Sequence, residues 1–369
     1  MIRVLHVVDY LKQRYGVTSF LLNFLRNIDS NKLAFDFLII DSEKEILDEL
    51  KQYNCQIYYM PKLGLNNAKS VRLAIDNCLK NTQYDIVHSH FYQIDFILFK
   101  ECKKYGVCHR IAHSHCTSFG DGVIKQVRNK LLSLVGRHGA TDYCACSAEA
   151  GKLLFGSKST VKIINNAIDI SEFVFDCNDR NRIRNEYGIN NNTLLFGHVG
   201  SFKESKNQKR IVEIFKEIHN IDEDTALLLV GDGELKHNVE EQVVKQGLST
   251  SVIFAGVSND VSSFCSAFDC MIFPSLYEGL GIVLIEAQAS NLPFVASDVI
   301  PYEARLDKDG EYRSLLKDSN REWAETAIRL AKLRFGNREY NNDFISENGF
   351  DINEEAIKLH NYYQELLRT

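Results

Sequence analysis

Two glutamates eight positions apart bracket a glycine-bearing turn: Glu278-Gly279-Leu280-Gly281-Ile282-Val283-Leu284-Ile285-Glu286. Glycine lets backbone amides come close to a ligand. The apolar run after Gly281 reads as a helix, and the first amides of a helix are unpaired donors at its positive end. Gly279, Leu280, Gly281 and Ile282 therefore suit an anionic diphosphate. Carboxylates beside phosphates would be repelled, so Glu278 and Glu286 make sense if they accept hydrogen bonds from vicinal hydroxyls, as on a hexose and a ribose. A departing diphosphate also needs positive charge. Lys206, in Ser205-Lys206-Asn207 after Gly200, is the first candidate and Lys203 the second. Gly231-Asp232-Gly233 forms another glycine turn, and Gly256-Val257 follows a further strand-like run.

The first half of the chain carries its own candidates. Gly16-Val17 lies between a strand-like run and a helix-like run, where amides again face outward. His88-Ser89-His90 and His113-Ser114-His115-Cys116 sit at strand ends. Such a group could hold zinc, or a histidine could hydrogen-bond a sugar. Alternation along the strands is expected to divide these side chains between opposite faces, so no metal is expected. Cys144-Ala-Cys146 and the pair Cys265, Cys270 lack the doubled spacing of a metal knuckle.

These residues need a scaffold. Short runs rich in Val and Ile recur at 4–8, 35–40, 56–60, 86–88 and 110–113, with helical stretches between them. The rhythm restarts at 194–199, 226–230, 252–255, 270–273 and 294–296. Strands alternating with helices indicate α/β architecture with parallel, doubly wound sheets. At 369 residues the chain exceeds what one core usually supports, so two domains are expected. The reading places an N-terminal Rossmann-like domain at 1–168, a polar linker region at 169–192 and a C-terminal Rossmann-like domain at 193–350. A closing helix at 351–369 is expected to pack back toward the N-terminal domain.

The segment 273–298, FPSLYEGLGIVLIEAQASNLPFVASD, resembles the Glu-x7-Glu motif of glycosyltransferase family 4, retaining enzymes of GT-B fold. GHVGSFKESKNQ, LLLVGDGELK, VIFAGVSNDV and IINNAID follow that family in order and spacing. LHVVDYLKQRYGVTSFLLNFLRNID and YDIVHSHF resemble its exopolysaccharide and capsule members. The resemblance implies two Rossmann-like domains facing an inter-domain cleft, with no metal or other cofactor. It implies transfer of a hexose or N-acetylhexosamine from a nucleotide diphosphate sugar, a UDP-sugar by preference. The acceptor would be a saccharide or a polyprenyl-diphosphate-linked one in surface polysaccharide synthesis. Glu278 would touch the donor sugar, Glu286 the ribose, and His115, with His113 next, the sugar near its anomeric carbon. Glu278, His115 and Lys206 are the implied catalytic group. The family's arginine after the glycine is here Ser201, which cannot make a bidentate fork to phosphate. That departure keeps a degenerate, non-catalytic pocket as an alternative, beside a UDP-sugar epimerase of the same fold.

A net charge of −6 argues against nucleic acid as a partner. No apolar run reaches the ~20 residues of a membrane span, and a cytoplasmic location is expected. Residues 122–137, GVIKQVRNKLLSLVGR, combine Val123, Ile124, Val127, Leu131, Leu134 and Val135 with Lys125, Arg128, Lys130 and Arg137, and with no acid. Such a helix either packs in the domain with a solvated basic face or rests on the anionic inner face of a membrane.

Overall fold

The structure, a computed structural model, describes all residues except 14, 65, 116–122, 157–159, 307–309, 337, 339–342 and 369; at 123–125 and 137 it describes the backbone alone. The chain divides into two compact units, Met1–Ala167 with Asp351–Thr369, and Ile168–Phe350.

The first unit is built on seven parallel strands in the order Ile57–Tyr59, Leu33–Ile39, Ile2–Val7, Ile86–Ser89, His109–Ser114, Asp142–Ala145, Val161–Ile163. Both faces are covered. Leu5, Val7, Leu38 and Val87 pack into one apolar layer. Val4, Phe35, Phe37 and Ile86 pack into the other, under the Gly16–Asn27 and Ile352–Leu366 helices. Burial on two faces is why these strands read as nearly continuous apolar runs.

The second unit holds six parallel strands in the order Val252–Gly256, Thr225–Val230, Leu194–Val199, Cys270–Phe273, Phe294–Ser297, Gly310–Arg313. In each unit the strand order reverses beside the first strand. Doubly wound sheets bind ligands at that reversal, outside the carboxyl ends of the strands. In the first unit it lies between Ile2–Val7 and Ile86–Ser89. In the second it lies between Leu194–Val199 and Cys270–Phe273.

Residues 169–192 are not a linker. They contain the Ile170–Phe173 turn and the Cys177–Glu186 helix, and they belong to the second unit. Ile170, Phe173, Ile183 and Ile189 enter its core. Arg180 and Arg184 are buried and reach Asp269 at 2.7 and 3.3 Å. The Asp269 carboxylate also accepts from the Leu195 amide at 2.8 Å. A polar segment thus packs inside because its charges have a buried partner, which is the condition for burying them.

Candidate functional site

The loops after Leu194–Val199 and Cys270–Phe273 meet at the sheet reversal of the second unit. The Leu276 amide donates to the Ser205 carbonyl at 2.8 Å, and the Asn207 side chain donates to the Pro274 carbonyl at 3.1 Å. This stitching brings Lys206 Nζ to 2.6 Å from Glu278 Oε1, which also accepts from Ser275 Oγ at 2.7 Å. The Glu278–Lys206 pair is largely withdrawn from water, and Lys206 lies over the Phe273 ring. Sequence reading paired neither residue with the other and missed Ser275, a fully buried hydroxyl that fixes the carboxylate.

Gly281 has φ of +84°, a conformation open mainly to glycine, and caps the Ile282–Ala289 helix. It sits beside Glu278 and Phe273, a Cβ at this position standing 3.7 Å from each side chain. Leu280 is buried and anchors that turn in the core. Glu286 lies on the helix itself. Its side chain is half-buried, yet Oε2 is sealed from solvent and has no hydrogen-bond partner among the described residues. Burial pushes its carboxyl up from 4.5 to about 7; Glu172 adds to the rise and Lys206 opposes it. A buried acceptor left unpaired is costly, so this atom is poised for an incoming donor.

Gly231 (φ +140°) and Gly233 (φ +156°) have a structural reason of their own. A Cβ on Gly231 would stand 2.1 Å from the Gly200 carbonyl oxygen, and one on Gly233 2.6 Å from that of Phe202. These glycines let two strand-end loops lie against each other. Val257 is exposed, after Gly256 with φ +70°. Lys203 is exposed at the start of the Glu204–Lys206 turn. Ser201 uses its carbonyl to receive the Gln208 side chain at 2.9 Å. Beneath Gly200 is His198, which the sequence reading passed over. Its Nδ1 pairs with the Ile272 carbonyl at 3.0 Å and its Nε2 is unpartnered. Burial lowers its pKa to about 3, so it is neutral and Nε2 is a bare acceptor.

In the first unit Gly16 and Val17 open the Gly16–Asn27 helix, with Gly16 exposed. The histidines do not divide between faces. Positions two apart on a strand share a face, so His88 with His90, and His113 with His115, point the same way. Strand register adds His6 opposite His88. Tyr363 joins His88 Nδ1 at 2.7 Å and His88 Nε2 joins His113 at 3.0 Å. A second row links His6, His90 and His115 at 3.0 and 2.8 Å. Burial lowers the pKa of all five, His6 and His115 to about 3, so the rings are neutral at pH 7. Cys116 and Gly122 lie outside the described residues. Cys144 Sγ contacts the Tyr362 hydroxyl, and burial holds its thiol up.

Two strand-end loops thus bring together a Lys–Glu pair, a left-handed glycine at a helix start and a sealed glutamate. The family described as glycosyl transferases group 1 matches residues 179–348, which contain this whole arrangement from His198 to Glu286. EpsF of Bacillus subtilis (strain 168), named as a glycosyltransferase, is 32% identical over 372 residues, 98% of this chain and 96% of that protein. The chain belongs to the group 1 glycosyl transferases. This transferase is also 25% identical, over 72% of each chain, to the UDP-Gal:alpha-D-GlcNAc-diphosphoundecaprenol alpha-1,3-galactosyltransferase of Escherichia coli. Its fold is GT-B, and the structure of Anabaena HepE in complex with UDP-glucose superposes on it with a TM-score of 0.80 at 16% identity, each chain covered in full.

Proposed function

We propose that the enzyme moves a hexose or N-acetylhexosamine from a UDP-sugar, with retention at the anomeric carbon, onto a lipid-linked or free saccharide of a surface polysaccharide. The observation that carries this reading is the sealed, unpartnered Oε2 of Glu286 on the helix capped by Gly281. The helix amides from Ile282 onward bind the diphosphate, and Glu286 accepts from the ribose hydroxyls. Glu278, held by Ser275 and Lys206, accepts from hydroxyls of the donor sugar. When a diphosphate enters, Lys206 sits between two anions, Glu278 and the phosphate, and its charge stabilises the leaving group. His115, neutral, is an acceptor or single donor for the sugar, and the departing phosphate takes the acceptor's proton.

The acceptor half of this reading draws on two observations. The named Escherichia coli relative acts on a diphosphoundecaprenol-linked sugar. The Val123–Gly136 helix is also inverted relative to an ordinary domain helix: Asn129, Ser133 and Gly136 are buried, whereas Val127, Leu131 and Val135 are 55%, 59% and 59% exposed. Exposed Arg128 and Lys130 flank that apolar stripe. An apolar strip beside cations suits the surface of an anionic membrane, where a lipid-linked acceptor resides. Among the described residues no helix is long and apolar enough to cross a membrane, so contact would be peripheral.

Calorimetry with UDP, followed by NMR of the product formed from UDP-sugars and a lipid-linked saccharide, tests the assignment. Heat on binding and an axial or equatorial anomeric bond matching the donor are expected. Absence of heat with UDP, or release of an epimerised sugar without an acceptor, would sink it.

A further inference from the structure

His198, near the end of the Leu194–Val199 strand and 1% exposed, carries one unused lone pair. A carbonyl oxygen only accepts, so the 3.0 Å contact with Ile272 places the single proton of the neutral ring on Nδ1. Burial, aided by the Lys206 charge and opposed by that carbonyl, keeps the ring neutral with a pKa of about 3. Nε2 is then a sealed acceptor without a partner among the described residues. Such an atom is costly unless a donor comes to it. Lys206 borders it. A Cβ on Gly200 would stand 3.0 Å from His198 Nε2 and 3.6 Å from both Cδ and Cε of Lys206. The imidazole and the lysine stem therefore face the same gap, which stays open because residue 200 is glycine. Both also pack on Phe273, with the His198 ring centre at 5.6 Å and Lys206 Nζ at 5.1 Å from the centre of its ring.

We propose that His198 is a positioning residue for Lys206: its Nε2 accepts a hydrogen bond from the Lys206 ammonium and holds that cation against the diphosphate of the donor. This role presupposes the donor site proposed above. An ammonium has three donors, and Glu278 takes one of them at 2.6 Å. Glu278 is a poor holder once the nucleotide arrives, because its charge competes with the phosphate for Lys206 and its oxygens are needed by the sugar hydroxyls. A neutral imidazole directs an N–H without cancelling charge. Rotation at the end of the flexible lysine stem carries Nζ toward Nε2, through space that a side chain at position 200 would fill. Lys206 then keeps its full charge for the leaving group.

Calorimetry with UDP on the full chain tests this through a double-mutant cycle. His198→Phe keeps a ring and removes the acceptor, and should weaken UDP binding by on the order of tenfold, the worth of one hydrogen bond to a charged group. In a Lys206→Met background the same change should cost less than about twofold, because the cycle cancels what each substitution does on its own. His198→Gln, which retains an acceptor oxygen, should recover most of the affinity. Gly200 lies outside the left-handed region, so Gly200→Ala adds a methyl group between the two side chains without backbone strain and should match His198→Phe. Urea unfolding followed by the fluorescence of Trp323, in the same unit, reports whether the variants fold. If His198→Phe does not fold, Gly200→Ala in the two backgrounds decides. Equal losses with and without Lys206 would show a merely structural role and overturn the proposal, as would unchanged UDP affinity in both His198→Phe and Gly200→Ala. Undiminished UDP affinity in Lys206→Met alone would instead remove the donor-site reading, and this role with it.

Discussion

Replacing Glu286 by Gln tests the donor site through stability and binding at once. The carboxyl is pushed from 4.5 to about 7 chiefly by burial. At ~1.4 kcal/mol for each pH unit, that rise corresponds to roughly 3 kcal/mol. The sign follows from proton counting. Between pH 4.5 and 7 the unfolded chain has lost this proton and the folded one keeps it, so stability falls as pH rises through that window. Glutamine never ionises. Glu286→Gln should therefore be close to neutral at pH 4.5 and should stabilise the second unit by about 2–3 kcal/mol at pH 8, the lower figure allowing for partial exposure. The single tryptophan, Trp323, is buried in that unit, so its fluorescence during urea unfolding reports the right transition. UDP should show the opposite preference. Ribose hydroxyls donate to the ionised carboxylate, so affinity should drop roughly tenfold per unit below pH 7 in the unaltered enzyme. In the glutamine variant it should be weak and flat. A stability difference between the two proteins that is the same at pH 4.5 and pH 8 would refute the reasoning.

Further outcomes follow from the same geometry. Glu278→Ala frees Lys206 from its 2.6 Å partner, so transfer should fall on the order of 100-fold while UDP affinity holds or rises; a large loss of UDP affinity contradicts this. Gly231→Ala forces a Cβ to 2.1 Å from the Gly200 oxygen at a φ of +140°, and should destabilise the second unit by about 3 kcal/mol or more by urea unfolding. Asp269→Ala strands two buried guanidinium groups and should cost about 3–5 kcal/mol in the same assay. Leu131→Asp places a charge in the exposed apolar stripe and should abolish co-flotation with vesicles rich in anionic phospholipid, leaving soluble-acceptor turnover unchanged; undiminished flotation would remove the membrane reading.

The candidate donor site could be picked out in the sequence because its residues are nearly contiguous. Glu278, Gly279, Gly281 and Glu286 lie on one strand-turn-helix segment, from Cys270–Phe273 to Ile282–Ala289. The alternating apolar runs likewise gave most of the parallel strands. The Asp142–Ala145, Val161–Ile163 and Gly310–Arg313 strands were not read from the sequence: all three are short and carry polar residues, and the last two sit at the sheet edges.

Other features depend on partners far away in the chain. Residues 169–192 look like a linker by polarity; Asp269 makes them core, because a buried carboxylate gives Arg180 and Arg184 somewhere to go. The direction faced by Val127, Leu131 and Val135 is set by what the helix packs on, and periodicity supplies a stripe without saying which side is wet. His6, His88 and His113 lie on three neighbouring strands, with His90 and His115 just past two of the strand ends, and only parallel register brings them together. The sequence alone determined the α/β rhythm and the glycine-bearing turn before Ile282, since both are set by residues close together along the chain. The tertiary structure decided the Lys206–Glu278 pairing, the sealed atom of Glu286 and the histidine stack, because distances across a sheet are fixed by packing.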